Sequence, residues 1–167
     1  KPKGPFKTHK VSKKAKGAHR TIQAAVNAAK PGDTIRIADG TYREGVKVKG
    51  ANKRYLKIIG NPAKPEKVVI DGKGLKGVAA QQAIQVDGAN EVGIQGIKAK
   101  NFRANGFFVV NVVGYTLDRL IAEKNGVYGI YAFNSKGGTM KNSVAYYHND
   151  AGFYIGQTPP QTKPVRS

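Results

Sequence analysis

VGIQGIKAKNFRANGFFVVNVVG (92–114), YTLDRLIAEKNGVYGIYAFNSKG (115–137) and GTMKNSVAYYHNDAGFYIGQTPP (138–160) are three consecutive lines of one repeat. Each line starts 23 residues after the line before it, since 115 − 92 = 23 and 138 − 115 = 23. Aligned in this way, the lines place Gly106, Gly129 and Gly152 in one column. A fixed period of this length is typical of stacked repeats, in which one unit cannot bury its apolar face alone.

Apolar residues alternate within each line, which predicts strands rather than helices. Phe107 and Val109 point to one side of a strand and Phe108 and Val110 to the other. About three short strands per coil predict an all-β fold: a right-handed single-stranded parallel β-helix with an N-terminal capping α-helix. We expect one buried set: Phe107, Val109, Leu117, Ala122, Ile130, Ala132, Met140, Phe153 and Ile155.

One column of amide side chains marks a predicted corner of the coil: Asn111, Asn134 and Gln157. Stacked amides can hydrogen-bond from coil to coil. Alternatively, Asn simply tolerates the left-handed backbone that a corner needs. Both interpretations support the β-helix.

The segment before the repeats predicts a short strand and a helix. Residues 6–11 alternate weakly and fit a first strand against the body. An apolar face, a cap and a Pro-Gly stop predict a helix near 20–30, formed by Ile22, Ala25, Val26 and Ala29 with Thr21 at its start. We divide the chain into a basic N-terminal arm (1–19), a parallel β-helix domain (20–157) and a Pro-rich C-terminal segment (158–167).

The sequence TIQAAVNAAKPGDTIRIADGTYREGVKV (21–48) resembles the opening segment of the pectin-lyase-like superfamily, with the GTYRE turn at 40–44 as its most specific part. With the later repeats, the resemblance covers most of 20–157. It implies a right-handed parallel β-helix and places the chain beside pectate lyases, pectin methylesterases, alginate epimerases and the carbohydrate-binding and sugar-hydrolase repeat. The paired aspartates and Gly-His-Gly sets that mark individual activities in that superfamily are absent from this sequence.

Composition narrows the classes of function. The chain has 167 residues, no Cys and a formal net charge of +19. Disulfide and thiolate chemistry are therefore excluded, and no apolar run is long enough to predict a membrane span. Such a positive field attracts polyanions, of which we expect anionic polysaccharide. Nucleic acid is the less favoured partner, because Lys outnumbers Arg and no base-reading motif is present. A merely solubilising charge is the alternative.

The outward positions of the repeat predict a binding surface. Phe108, Tyr131 and Tyr154 share a column, and Phe133 lies beside it. Stacked aromatic rings can bind the apolar faces of sugars, while Tyr hydroxyl groups contact their oxygens. Tyr146, Arg119 and Lys141 complete the predicted substrate-binding set, the two cations being placed to neutralise an acidic sugar. Alternatively, the aromatic column only packs under a loop.

His148 and Asp150 are the predicted catalytic pair, in the turn that leads to Tyr154. An imidazole beside a carboxylate can act as a general base. The alternative is ordinary turn chemistry around Asn149 and Asp150. No cofactor is expected, since the three His are far apart in sequence, and Ca²⁺ finds only scattered carboxylates.

Two functions follow from these patterns. The first is a secreted or cell-surface β-helix that acts on or binds acidic polysaccharide, of lyase or epimerase type if it is an enzyme. The second is a non-catalytic, self-associating structural or adhesion module. Because Pro159, Pro160 and Pro164 cannot cap the last coil by strand pairing, we expect either further coils or a homo-oligomer to cover it.

Overall fold

The structure, a computed structural model, describes residues 1–146 and 148–156. The chain winds into a right-handed parallel β-helix, as the repeat predicts. Its elements are β1 (Thr8–Val11), α1 (Ile22–Ala28), β2 (Thr34–Ile37), β3 (Gly40–Tyr42), β4 (Val46–Lys49), β5 (Lys57–Ile59), β6 (Val68–Asp71), β7 (Gln82–Asp87), β8 (Val92–Lys100), β9 (Asn105–Val110), β10 (Val113–Glu123), β11 (Tyr128–Phe133), β12 (Lys136–Lys141), β13 (Val144–Tyr146) and β14 (Phe153–Gly156). Short 3-10 turns at Ala51–Lys53, Pro65–Lys67 and Gly77–Ala80 connect some of the strands.

All strand pairs that the structure describes are parallel, and they form two sheets. Sheet A follows the order β1-β2-β5-β8-β10-β12, with β3, β6 and β13 pairing at the side, and sheet B follows the order β4-β7-β9-β11-β14. The long strands β8 and β10 bend, so that each pairs with two shorter strands in succession. Pairs such as Leu117–Met140 and Ile130–Phe153 confirm the 23-residue register.

The core is the stack of inward rows. Phe107, Ile130 and Phe153 are buried one above the other, as are Ala99, Ala122 and Ala145. Nearly all of the predicted buried set is confirmed. Met140 and Ile155 are exceptions, because they are only half-buried. They lie in β12 and β14, which within the described residues have a strand neighbour on one side only.

The repeated glycines have a packing reason. A Cβ added at Gly106 would lie 3.2 Å from the Ala122 Cβ, and one at Gly129 would lie 2.6 Å from the Ala145 Cβ. Both glycines therefore face inward against the alanine row of the neighbouring coil. The Gly and Ala columns of the sequence are two sides of one close contact.

Single residues in the left-handed backbone region form the corners of the coil. Asn111 and Asn134 have φ of 56° and 48°, and the Asn134 amide donates to Asn111 Oδ1 at 2.7 Å. Both interpretations of this column therefore hold for these two residues, while Gln157 lies outside the described residues. Further corners recur one coil apart in the same way, with positive φ at Gly96, Arg119 and Asn142.

The first complete turns depart from the regular period. Val46 pairs with Ile84, a separation of 38 residues against 23 elsewhere. The predicted insertion at 73–82 is therefore present. However, the slip begins earlier, because Gly40 already pairs with Val68 across 28 residues. The loop before β6 supplies the first extra residues.

The N-terminal end is closed by α1, in agreement with the prediction. Ile22, Ala25 and Val26 are buried, and the Thr21 side chain accepts a hydrogen bond from Ala24 N–H. Glu44, the last residue of the GTYRE turn, accepts hydrogen bonds from the main-chain N–H groups of Ile22 and Gln23 at 2.9 and 3.0 Å. The predicted first strand is also present, since β1 pairs with β2. Among the described residues, no helix is long and apolar enough to cross a membrane.

Candidate functional site

An aromatic cluster lies on the outer side of sheet B. Phe108, Tyr131 and Tyr154 pair across β9, β11 and β14. The rings of Phe108 and Tyr131 stack with centroids 5.0 Å apart, and Tyr154 meets Tyr131 edge-on at 5.1 Å. Phe133 lies 6.0 Å from Tyr131. We call these four residues and Tyr128 the aromatic surface.

Tyr128 is the member that the sequence reasoning missed. Its ring lies 4.9 Å from Tyr131 and 4.8 Å from Tyr154. It belongs to the Asn105 column rather than to the Phe108 column, so column counting alone does not find it. The signal available in the sequence was its position three residues before Tyr131 in one aromatic strand.

Exposure varies along the aromatic surface. Phe108, Tyr128, Tyr131 and Phe133 are half-buried, whereas Tyr154 is only 6% exposed. The stack thus faces outward as predicted, but Tyr154 is packed among its neighbours. Burial raises the pKa of Tyr131, and of Tyr128 with a further contribution from the nearby Asp150 charge. Both phenols therefore stay protonated and can donate hydrogen bonds at neutral pH.

The row of the aromatic surface continues with polar residues. Phe108 pairs with Gln85 in β7, and Gln85 pairs with Lys47 in β4. Neighbouring strands of a sheet lie about 4.7–4.9 Å apart, so the row from Lys47 to Tyr154 crosses five strands in one line. A cation and an amide thus stand at one end of this line and the aromatic rings at the other.

His148 has main-chain partners on both ring nitrogens. Its Nδ1 lies 3.1 Å from Asn125 N, which can only donate, so Nε2 carries the proton and donates to Ala122 O at 3.2 Å. One coil earlier, Asn125 makes the same two contacts, with Phe102 N and Ala99 O. Burial lowers the pKa of His148, which favours the neutral ring. The imidazole therefore takes the place of an amide in an internal ladder.

Asp150 does not orient the His148 ring, contrary to the prediction. Its carboxylate is exposed and hydrogen-bonds the Tyr128 side chain instead. The geometric reason is that the ladder turns His148 toward the preceding coil, while Asp150 faces the aromatic surface. The catalytic roles of His148 and Asp150 stay predictions.

The structure does not bring the other predicted substrate-binding residues to the aromatic surface. Tyr146, Arg119 and Lys141 belong to β13, β10 and β12 of sheet A. Arg119 pairs with the Asp118 carboxylate. Burial pushes the pKa of Asp118 up, but hydrogen bonds from Asn142 and Gln95, with the charges of Arg119 and Lys141, bring it below its ordinary value.

Carboxylates and imidazoles are scattered over the molecule. Among residues 1–146 and 148–156, no three His, Asp or Glu side chains come together in a group that could hold a metal ion. The described part of the chain thus supplies no cluster to which Ca²⁺ could be assigned.

Comparison with known proteins found no matching family model and no matching curated protein. Solved structures do match. A pectin methylesterase variant in complex with a hexasaccharide gives a TM-score of 0.55 at 14% identity, over 89% of this chain and 54% of that one. Pectin methylesterase PemA from Erwinia chrysanthemi gives 0.54 at 13% identity, over 93% and 57%. The enzyme from Aspergillus niger gives 0.51 at 14% identity, over 97% and 70%.

The chain has the pectin-lyase-like β-helix fold. The resemblance seen in residues 21–48 is thereby confirmed at the level of the fold. The chain spans just over half the length of the first two neighbours. Within this pectin-lyase-like fold, the aromatic surface occupies the outer face of sheet B, and the Glu44 cap closes its N-terminal end.

Proposed function

We propose that this protein is a secreted or cell-surface β-helix that binds acidic polysaccharide along the outer face of sheet B. The observation that carries the proposal is the aromatic surface itself. Five aromatic side chains meet in it with centroids 4.8–6.0 Å apart, and four of them keep part of their surface open to solvent. Aromatic faces of this kind suit the C–H faces of sugar rings.

The direction of the row suits a linear polymer. Successive residues of the row lie on neighbouring coils, so a glycan running along the helix axis meets a new side chain at each strand spacing, about 4.8 Å. Tyr131 and Tyr128 offer hydroxyl groups, Gln85 offers an amide, and the exposed Lys47 offers a positive charge. An acidic sugar chain finds partners for its ring faces, hydroxyl groups and carboxylates on this one line.

Charge and fold support the same ligand. The formal charge of +19 raises the local concentration of polyanions. One of the proteins that share the fold was solved with a hexasaccharide, and all three are pectin methylesterases. Export to the outside of the cell, where such polymers occur, is part of the proposal.

We propose binding without turnover over a lyase or epimerase. Either reaction needs a base with a free lone pair beside the sugar. The lone pair of His148 accepts from Asn125 N–H, and its other nitrogen donates to Ala122 O. Incubation with polygalacturonate, monitored for unsaturated uronates and for released methanol from the methylated polymer, tests this choice. Turnover that His148→Ala abolishes would restore the catalytic prediction.

Calorimetric titration with a galacturonate oligomer tests the binding proposal. Tyr131→Ala removes the ring that contacts four others, and we expect its affinity to fall about tenfold, or ~1.4 kcal/mol. Tyr146→Ala is the matched control, because it deletes the same side chain on sheet A. Equal losses in both variants, or no binding by the unaltered chain, would refute the proposal.

A further inference from the structure

A groove lies between the N-terminal arm and the loop that follows α1. The pairing of β1 with β2 holds the arm over residues 28–33, and Arg54 borders the space between them. The groove has a volume of about 750 Å³. We call it the N-terminal groove. It is separate from the aromatic surface, which lies on sheet B.

A buried ion pair forms one wall of this groove. Asp33 is 4% exposed and His9 is 6% exposed, and His9 Nε2 lies 2.8 Å from Asp33 Oδ2. Asp33 also accepts hydrogen bonds from the main-chain N–H groups of Lys7 and Lys30, both at 3.0 Å. Burial alone would raise the pKa of Asp33, but these hydrogen bonds together lower it. The carboxylate is therefore ionised, and its oxygens are occupied within the wall.

The groove carries an excess of positive charge. Its lining includes Lys3, Lys7, Lys30 and Arg54, whereas Asp33 is its one carboxylate, so with neutral histidines the formal sum is 4 − 1 = +3. Within the described residues, none of these four cations forms an ion pair. Like charges gathered around one concave space repel each other, and a bound anion removes that repulsion.

The remaining lining is flat and apolar. Phe6 is 54% exposed, and its ring packs directly on Gly32, where an added Cβ would lie 2.4 Å from a ring carbon. Pro5 and Pro31 also line the groove, and the His19 ring lies 6.2 Å from the His9 ring. An inorganic anion has no use for such a surface, whereas a sugar ring has C–H faces that fit it.

We propose that the N-terminal groove binds an acidic saccharide, with the sugar ring against Phe6 and its carboxylate among Lys7, Lys30 and Arg54. This site does not depend on the aromatic surface. The buried pair of His9 and Asp33 supports it by holding the arm and the loop at a fixed distance. A chain that binds acidic glycan here presents a second point of attachment at the end of the β-helix.

Proton NMR of the imidazole signals tests this proposal, because the three histidines divide between the groove and the interior of the coil. On titration with a galacturonate trimer at constant ionic strength, the His9 and His19 signals shift and saturate, while the His148 signal stays in place. The neutral galactose trimer leaves all three in place. Because the readout belongs to the groove, it holds whether or not sheet B also binds the trimer.

Two variant pairs separate a built site from general charge. Lys7→Gln with Lys30→Gln weakens the apparent binding about fivefold or more. Lys64→Gln with Lys67→Gln removes the same charge from an exposed loop and leaves the binding unchanged. Phe6→Ala weakens binding of the trimer but not of sulfate. Equal losses in the two double variants, saturation by sulfate as tight as by the trimer, or a Phe6→Ala variant that binds like the unaltered chain would each overturn the proposal.

Discussion

His148 shows how much of the chemistry of a residue is decided by the coil before it. An imidazole in a turn beside an Asp has the composition of a catalytic pair. In the structure, both of its nitrogens complete the main-chain hydrogen bonds of the preceding coil, at Asn125 and Ala122. Buried N–H and C=O groups need such partners, and leaving them unpaired is costly. The ring is thus held as part of the framework.

Replacing His148 distinguishes framework from catalysis. His148→Ala leaves Asn125 N–H and Ala122 C=O without their partners, and we expect it to lower the free energy of unfolding by about 1–3 kcal/mol. His148→Asn places an amide where Asn125 has one, so it restores both contacts and loses less than ~1 kcal/mol. Urea unfolding measures both. Equal destabilisation by the two substitutions would contradict the ladder.

The same residue predicts a dependence of stability on pH. The folded pKa of His148 lies below its ordinary value of 6.5. The unfolded chain therefore takes up the proton first as the pH falls, so this contribution to stability is complete above pH 6.5 and is lost as the pH falls below it toward the folded pKa. His148→Asn should remove that part of the pH profile. An unchanged profile in this variant would show that His148 is not its source.

At this scale, the sequence predicts rows better than partners. Phe108 and Tyr131 face outward because strand alternation and the period together determine their side of the sheet. The partners of His148 were within reach of the same period, since it lies 23 residues after Asn125. The contact of His9 with Asp33 was not, because β1 pairs with β2 at an offset of 26 residues, outside the repeat.

Corners and strands are the elements from which the coil is built, and each corner uses a single left-handed residue. Asn111 and Asn134 combine that backbone with a hydrogen bond between their amides. The left-handed region costs roughly 1–2 kcal/mol for an ordinary side chain, and Asn is among the residues that accept it. Backbone preference and side-chain pairing act together at this corner.

Two substitutions at Asn134 separate these contributions. Asn134→Gly keeps the left-handed backbone and loses the hydrogen bond, so we expect a loss of about 1 kcal/mol. Asn134→Ala loses the hydrogen bond and strains the backbone as well, so we expect about 2–3 kcal/mol. Thermal unfolding followed by circular dichroism gives the order. A Gly variant less stable than the Ala variant would contradict the assignment of this corner.

The sequence predicts the regular elements well and the irregular coil less well. Columns of identical residues determine the register from β8 onward, because a shift by one residue would turn the apolar side chains outward. Between β4 and β7 no such columns exist, and extra residues enter at two loops rather than one. Loops without a repeated pattern leave no signal that fixes where the period is interrupted.

The whole molecule is a basic rod with two candidate contacts for acidic glycan, one on sheet B and one at the N-terminal end. Its charge of +19 acts over about 10 Å at 0.1 M salt and about 3 Å at 1 M. Long-range attraction brings the polymer to the surface, and the aromatic rings and amides hold it there. The two effects differ in their dependence on salt.

Binding to polygalacturonate should therefore weaken as salt is raised from about 0.1 M to about 1 M, because exposed charges are screened over that range. Retention on an immobilised polymer column measures this. The Tyr131→Ala variant should elute earlier than the unaltered chain at every salt concentration, since ring contacts are little screened. Retention that does not change with salt would contradict the electrostatic part of the account.

The most direct test of the central claim is an NMR titration of protein labelled at Tyr and Phe with a galacturonate oligomer. The account predicts that the ring signals of Phe108, Tyr128 and Tyr131 shift together and saturate at one concentration of sugar. The signals of Tyr42 and Tyr115, which are buried elsewhere, should remain unchanged. Saturable shifts at Tyr146 on sheet A with the aromatic surface unchanged would contradict the claim that sheet B binds the glycan.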